Sequence, residues 1–149
     1  MRLSQKCQYA LRAVFELARR YGAGPVRIGD LARAQAIPPR FLEHILSELK
    51  RGGFVVSRRG KQGGYMLAQS PVDISVGDII RFVDGPLEPV LCEQRGGAEP
   101  CALRNNCAFE GLWERAAAAL SSVLDDTSYQ DLLDENRDRQ AASTLSYSI

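Results

Sequence analysis

Histidine and tryptophan each occur once in this 149-residue chain, methionine twice and cysteine four times. One imidazole cannot serve a Ser/His/Asp set and also a metal site, and no carboxylates cluster beside an apolar pocket pattern, so the chain does not read as an enzyme. The glycine-rich stretch Gly60–Gly64 lies within a hairpin pattern rather than between a strand and a helix, which argues against a nucleotide phosphate loop. Four cysteines are too few for a disulfide scaffold and point to a reducing cytoplasm. No run approaches the ~20 apolar residues of a membrane span. The opening Met-Arg-Leu-Ser-Gln-Lys-Cys-Gln-Tyr is too polar for the apolar core of a secretory signal. Repeats of fixed period are lacking, and low complexity is confined to Ala116–Ala119.

The net charge of +1 is small enough to argue against a nucleic-acid binder, yet it conceals a division. Residues 1–69 carry 13 basic and 4 acidic side chains, whereas residues 70–149 carry 6 and 14. The halves therefore stand at +9 and −8. Such asymmetry marks the basic half as an interaction surface for a polyanion.

Helical spacing of Cys7, Ala10, Leu11, Val14, Leu17, Ala18 and Tyr21 predicts a first helix over residues 3–21, with that face buried. Gly22-Ala-Gly-Pro25 ends it, and Val26-Arg-Ile28 suits only a short strand or lead-in. A brief second helix is expected over Gly29–Ala36, burying Leu31, Ala32 and Ala34. Pro39 fits the first position of a third helix, Pro39–Arg51, because its missing N–H would be unpaired there anyway. Leu42, Ile45, Leu46 and Leu49 give that helix one apolar face, and Gly52-Gly53 stops it. Two β-prone runs around a basic, glycine-rich turn predict a hairpin over Phe54–Leu67. Ser75, with Asp78 three residues on, is a capping box for a helix over Val76–Val83. Residues 85–107 read as a long loop, Ala108–Leu124 as an amphipathic helix, and Ser128 with Asp131 as the start of a weaker one. The tail from about Asn136 is polar enough to fray.

Two short helices joined by a tight turn, followed by a hairpin with a basic tip, make a winged helix-turn-helix. The fold class is thus mainly α with a small β-hairpin wing. The polar face of the third helix carries Arg40, Glu43, His44, Ser47 and Lys50, which can reach base edges while the apolar face seats the helix. The hairpin tip adds Arg58, Arg59, Lys61 and Gln62 beside glycines that let the backbone approach a sugar-phosphate rail or minor groove. For Arg33, Lys50 and Arg51 taken singly, a solvated surface explains the charge equally well. His44 has no Cys or carboxylate at i±4 apart from Glu48, and is a groove-facing candidate only.

Met-Arg-Leu-Ser with Tyr9-Ala-Leu-Arg, then Phe41-Leu-Glu43 with Ile45-Leu, and above all Ser57-Arg-Arg-Gly-Lys-Gln-Gly-Gly-Tyr65, carry a resemblance over roughly residues 1–124. The chain resembles the Rrf-two family of bacterial transcriptional regulators, of the IscR, NsrR, RirA and CymR types. The resemblance implies a homodimeric reader of double-stranded DNA at near-palindromic promoter sites, with no membrane partner and no small-molecule substrate. It implies that Arg59 enters the minor groove and that Glu43 sits among the base-contacting residues. It further implies dimerisation through a long C-terminal helix, here through Leu112, Ala116, Ala119, Leu120 and Val123. The division expected is a DNA-binding domain over 1–70, then a linking helix, a cysteine-containing sensor loop (about 85–107), a dimerisation helix (about 108–124) and a polar tail over 71–149.

Cys92, Cys101 and Cys107 fall within 16 residues, where an even scatter of four cysteines would place about 0.4. The gaps lack the Cys-x-x-Cys pairs of a zinc ribbon, and thiolates in a Gly- and Pro-containing loop suit a soft centre, above all iron–sulfur. A redox thiol pair or coincidence remains the alternative on spacing alone. Cluster-binding members of the family carry three Cys in this loop, so the resemblance implies an iron–sulfur cluster on Cys92, Cys101 and Cys107. The first gap here is longer than theirs. Where such sequences supply a fourth ligand, by His after the last Cys or Asp in the first helix, this chain has Glu110 and Gln8. Glu110 is an oxygen candidate whose simpler role is first-turn charge at a helix N-terminus. Cys7 shares a face with Leu11, Val14 and Ala18 and reads as a buried small hydrophobe. The alternative function is a cluster-free repressor, controlled by thiol oxidation or by a partner protein.

Overall fold

A computed structural model describes residues 2–89, 101–103 and 106–147. The described elements are α1 (Gln5–Arg19), α2 (Ile28–Gln35), α3 (Pro39–Arg51), β1 (Val55–Arg58), β2 (Gly64–Leu67), a 3-10 turn (Pro71–Asp73), α4 (Val76–Asp84), α5 (Glu110–Asp125) and α6 (Tyr129–Ser146). Ser4 caps α1, its side chain accepting from the Cys7 N–H at 3.0 Å. That cap satisfies one of the donors a helix start leaves unpaired. Helix α1 ends at Arg19, before Tyr21, which consequently sits in the following turn and is 52% exposed rather than buried.

Helix α1 is the floor of the molecule. Cys7, Ala10, Ala13, Val14, Leu17 and Ala18 are all buried, and α2, α3, α4 and α6 each pack against it. The α3 side chains Leu42, Ile45, Leu46 and Leu49 complete this core, each burial contributing about 1.5–3 kcal/mol. Leu31 and Ala32 bury α2, while Ala34 is exposed, because an eight-residue helix turns only a narrow face inward. The turn from α2 to α3 passes through Ala36 in the left-handed region (φ 49), a position glycine would occupy at less cost.

The hairpin pairs Val55 with Leu67, Val56 with Met66, Ser57 with Tyr65 and Arg58 with Gly64. Val26 adds a single antiparallel bridge on the outer side of β2, exchanging hydrogen bonds of 2.9 and 2.8 Å with Tyr65. This close approach requires Gly64 (φ +154), since a Cβ there would lie 2.3 Å from the Val26 carbonyl oxygen. Both capping boxes form, Ser75 with Asp78 on α4 and Ser128 with Asp131 on α6.

The C-terminal region departs from expectation. The segment from Asn136 onward is helical to Ser146, not frayed. A capping box starts α6, and Arg137–Asp134 and Arg139–Glu135 ion pairs bridge successive turns, which favours helix locally without burial. Its first residue, Tyr129, is buried in the same core as α1, with its hydroxyl donating to the Leu11 carbonyl at 3.3 Å. One core thus receives side chains from α1, α2 and α3 and also from Ile74, Ile79 and Tyr129.

Glu16 is a fully buried charge. Its carboxylate accepts from Arg19 at 2.8 Å, Arg20 at 2.7 Å and Gln35 at 3.1 Å, fastening α1 to the end of α2. Burial alone would raise its pKa, but the hydrogen bonds from Arg19, Gln35 and Arg20 outweigh it and hold the carboxyl below its ordinary value of 4.5. The stabilisation is therefore complete above the ordinary value and lost as pH falls through the lowered folded one. Glu16→Ala should cost about 2–3 kcal/mol at pH 7, below the usual cost of orphaning a buried ion pair because both arginines reach solvent. Glu16→Gln should flatten the loss of stability between pH 6 and pH 2, the window that spans the ordinary and the lowered value. Urea unfolding at both pH values checks this, and parallel curves for wild type and Glu16→Gln would refute it.

Candidate nucleic-acid interface and cysteine segment

The apolar face of α3 is turned into the core, which leaves Arg40, Glu43, His44, Ser47 and Lys50 exposed on the opposite side. The wing follows directly. Arg58 closes the last rung of the hairpin, and Arg59, Lys61 and Gln62 lie in the exposed turn beyond it. Helix and hairpin are joined by a hydrogen bond from Lys50 Nζ to Ser57 Oγ at 2.6 Å. Lys50 is thereby partly committed within the protein, although an ammonium has donors to spare. Gly60 (φ +111) and Gly63 shape the turn, and a Cβ on Gly63 would lie 2.2 Å from the Arg58 carbonyl oxygen.

Residues that sequence reasoning did not single out also bear on this surface. Arg27, at the N-cap of α2, donates from its guanidinium to the Lys61 carbonyl oxygen at 2.6 Å. Thirty-four positions separate the two, so no local pattern signals the pairing. Lys6 pairs with Glu48 at 3.1 Å, tying the start of α1 to α3. Arg33 pairs with Asp30 on its own helix, in keeping with the solvated reading of its charge.

Of the three clustered cysteines, Cys92 lies outside the described residues. Cys101 is exposed and Cys107 half-buried, both as free thiols just ahead of α5. Glu110 is exposed at the first turn of α5. Among the described residues no three His, Cys, Asp or Glu side chains lie together as a metal-binding group. The donor chemistry of Cys101 and Cys107 suits a soft metal. Cys7 is placed differently, fully buried where the N-terminus of α1 meets the end of α4. Asp84 accepts from the Ser4 N–H at 2.7 Å beside it. Burial first, then the charge of Asp84 and a hydrogen bond to it, push the Cys7 thiol up to about 12.

No α5 side chain is buried. Ala116, Leu120 and Leu124 are half-buried, the two leucines resting against Ile80 and Leu87. Leu112, Ala119 and Val123 are exposed, as is Phe109, whose ring stacks on Trp113 with centroids 6.1 Å apart. An ion pair between Arg81 and Asp125 fastens the far end of α5 to α4.

A helix-turn-helix seated on a third helix, with a basic two-stranded wing alongside, defines a winged helix-turn-helix protein. The family model described as "Rrf2: Iron-dependent Transcriptional regulator" matches residues 3–135. The chain belongs to the Rrf2 (Rrf-two) family, and is accordingly a transcriptional regulator of the DNA-binding helix-turn-helix type and not an enzyme. An Rrf2-like helix-turn-helix regulator of Rhodobacter capsulatus is 42% identical over 102 residues, spanning 66% of this chain and 68% of that protein. The structure of CymR, the global cysteine regulator of B. subtilis, superposes with a TM-score of 0.75 at 36% identity, over 91% of this chain and 98% of that one. That of T. potens IscR superposes at 0.76 and 33% identity, over 94% and 91%. No helix among the described residues is long and apolar enough to cross a membrane.

The thiolate is the nucleophile in alkylation, so a thiol held near 12 should be almost inert at pH 8. Cys7 should react with iodoacetamide at least about a hundredfold more slowly in the folded protein than in urea. Peptide mass spectrometry over a labelling time course measures this, and equal rates would show that Cys7 is accessible and ordinary.

Proposed function

We propose that this chain reads operator DNA as a homodimer, through α3 and the wing, and that the Cys92, Cys101 and Cys107 segment senses redox, nitric oxide or iron status by holding an iron–sulfur cluster. The observation that carries the DNA reading is the opposition of faces on α3. Leu42, Ile45, Leu46 and Leu49 are buried while Arg40, Glu43, His44 and Ser47 are free to meet base edges. Arg58, Arg59, Lys61 and Gln62 supply backbone and minor-groove contacts from the wing, and the acidic remainder of the chain repels phosphate so that only this face docks. The exposed Leu112, Ala119 and Val123 on α5 support pairing of two copies, since an apolar helix face left in water favours a partner. Two copies related by a two-fold axis read near-palindromic half-sites.

The cysteine segment adjoins α5, so a change there would be felt at the proposed dimer contact. Cys101 and Cys107 would hold the cluster together with Cys92, and Glu110 is the oxygen-donor candidate for a fourth position. A bound cluster would supply a centre responsive to oxygen, nitric oxide and iron supply. The second reading keeps the DNA function and drops the metal, with thiol oxidation or a partner protein as the switch. Similarity to the cysteine regulator CymR favours it.

Iron and acid-labile sulfide per chain after anaerobic purification, with visible absorption, separate the two. A coloured protein that loses its iron in Cys101→Ala and Cys107→Ala supports the cluster. A colourless, iron-free protein whose operator affinity ignores Cys92→Ala would sink it, and mass spectrometry of thiols after mild oxidation would then test the second reading. For the DNA surface, Arg59→Ala should weaken binding to a duplex selected by the wild-type protein by ~1–3 kcal/mol. Unchanged affinity at physiological salt would show that the wing does not enter the groove.

A further inference from the structure

We propose that Arg27 is a positioning residue for DNA recognition: by holding the Lys61 carbonyl, it fixes the wing tip against the helix-turn-helix unit and so sets where Arg59 meets the duplex. The proposal rests on the DNA-reading function above and assigns within it a role to a residue outside the helix face and the wing.

The wing has little of its own to hold it in place. Its strands are four residues each, and an isolated two-stranded hairpin of that size is marginal in water. Arg59 lies beyond the last rung, Arg58 with Gly64, in a turn containing Gly60 and Gly63, where the chain has wide backbone freedom. A long side chain on such a turn would lose much of its contact energy in being ordered on DNA. Three attachments remove that freedom beforehand. Lys50 reaches Ser57 from α3, Val26 pairs with Tyr65, and Arg27 reaches Lys61. Only the last acts on the tip itself. Arg27 is also well placed to transmit position, because it begins α2, whose C-terminal end leads through Ala36–Pro38 into α3. The bond joins a guanidinium to a carbonyl oxygen at 2.6 Å, and a charged donor makes it stronger than a neutral pair. It uses the backbone of Lys61 and leaves that residue's ammonium free for a phosphate.

Arg27 makes no side-chain cap bond to α2 and is exposed, so Arg27→Ala removes the tie without unfolding the helix. The probes are a duplex recovered by in vitro selection with the wild-type chain and a scrambled duplex of equal length and composition. Arg27→Ala should weaken the selected duplex about tenfold and the scrambled one by less than about twofold, with an unchanged thermal midpoint. In a double-mutant cycle the effect should vanish in the Arg59→Ala background and persist in Lys61→Ala, which keeps the carbonyl. Arg27→Lys, which can still reach the carbonyl, should recover part of the loss. Equal weakening on both duplexes with a salt slope reduced by about one would identify Arg27 as a phosphate contact and overturn the proposal. Additive effects with Arg59→Ala, or no effect of Arg27→Ala on the selected duplex, would overturn it too. Failure of the underlying reading looks different: the wild type would select no duplex, or Arg59→Ala alone would bind as tightly as wild type, and the positioning role would fall with it.

Discussion

The seating of α3 on α1 is the contact on which the remaining structure depends. Small side chains at Ala10, Ala13 and Ala18 keep α1 slim, so that α2, α3, α4 and α6 can all lie against it. Four leucine and isoleucine side chains anchor α3 in this core and fix its rotation about its own axis. Close-packed interiors tolerate little change of shape, so that rotation is held firmly. Its polar side is directed outward as a consequence. A reader of base edges needs that fixed orientation, since a rotated helix would present different side chains to the groove.

The wing inherits its place from the same body. A short hairpin has few contacts of its own, and its glycines permit turns without selecting one. Selection comes from outside, through Val26 on the flank of β2, Lys50 at Ser57 of β1 and Arg27 at the tip. Electrostatics divide along comparable lines. Positive charge stays on the exposed turn and helix face, whereas the one buried carboxylate among the described residues, Glu16, joins α1 to α2. Burying a charge is tolerable there because three donors converge on it.

Much of this was legible beforehand in local spacing and capping residues. The i, i+3, i+4, i+7 spacing of Leu42, Ile45, Leu46 and Leu49, with Pro39 before and Gly52 after, specifies a helix and its buried side locally, and the observed α3 spans the expected residues. Ser75 with Asp78 and Ser128 with Asp131 announce helix starts through bonds only three residues long. The surface residues of the candidate interface followed, because they are what remains once the apolar face is assigned. Glu16, Tyr129 and Arg27 were not legible. Their partners lie on other elements, and Glu16 among helical charges looks like any solvated residue. Nor did the polar stretch after Asn136 look helical, since its helix is supported by ion pairs rather than by an apolar stripe.

By itself the sequence determined where α3, α4 and the hairpin lie, which face of α3 is dry, and that basic charge gathers in the first 69 residues. Those properties depend on interactions spanning a few residues and on side-chain polarity, both of which are written locally. Tertiary structure alone decided that Tyr129 joins the core of the N-terminal helices, that Val26 extends the hairpin, and that the wing tip is held by Arg27. Such contacts depend on how whole elements pack in three dimensions. A residue's own neighbours in the chain carry no record of what will be brought against it.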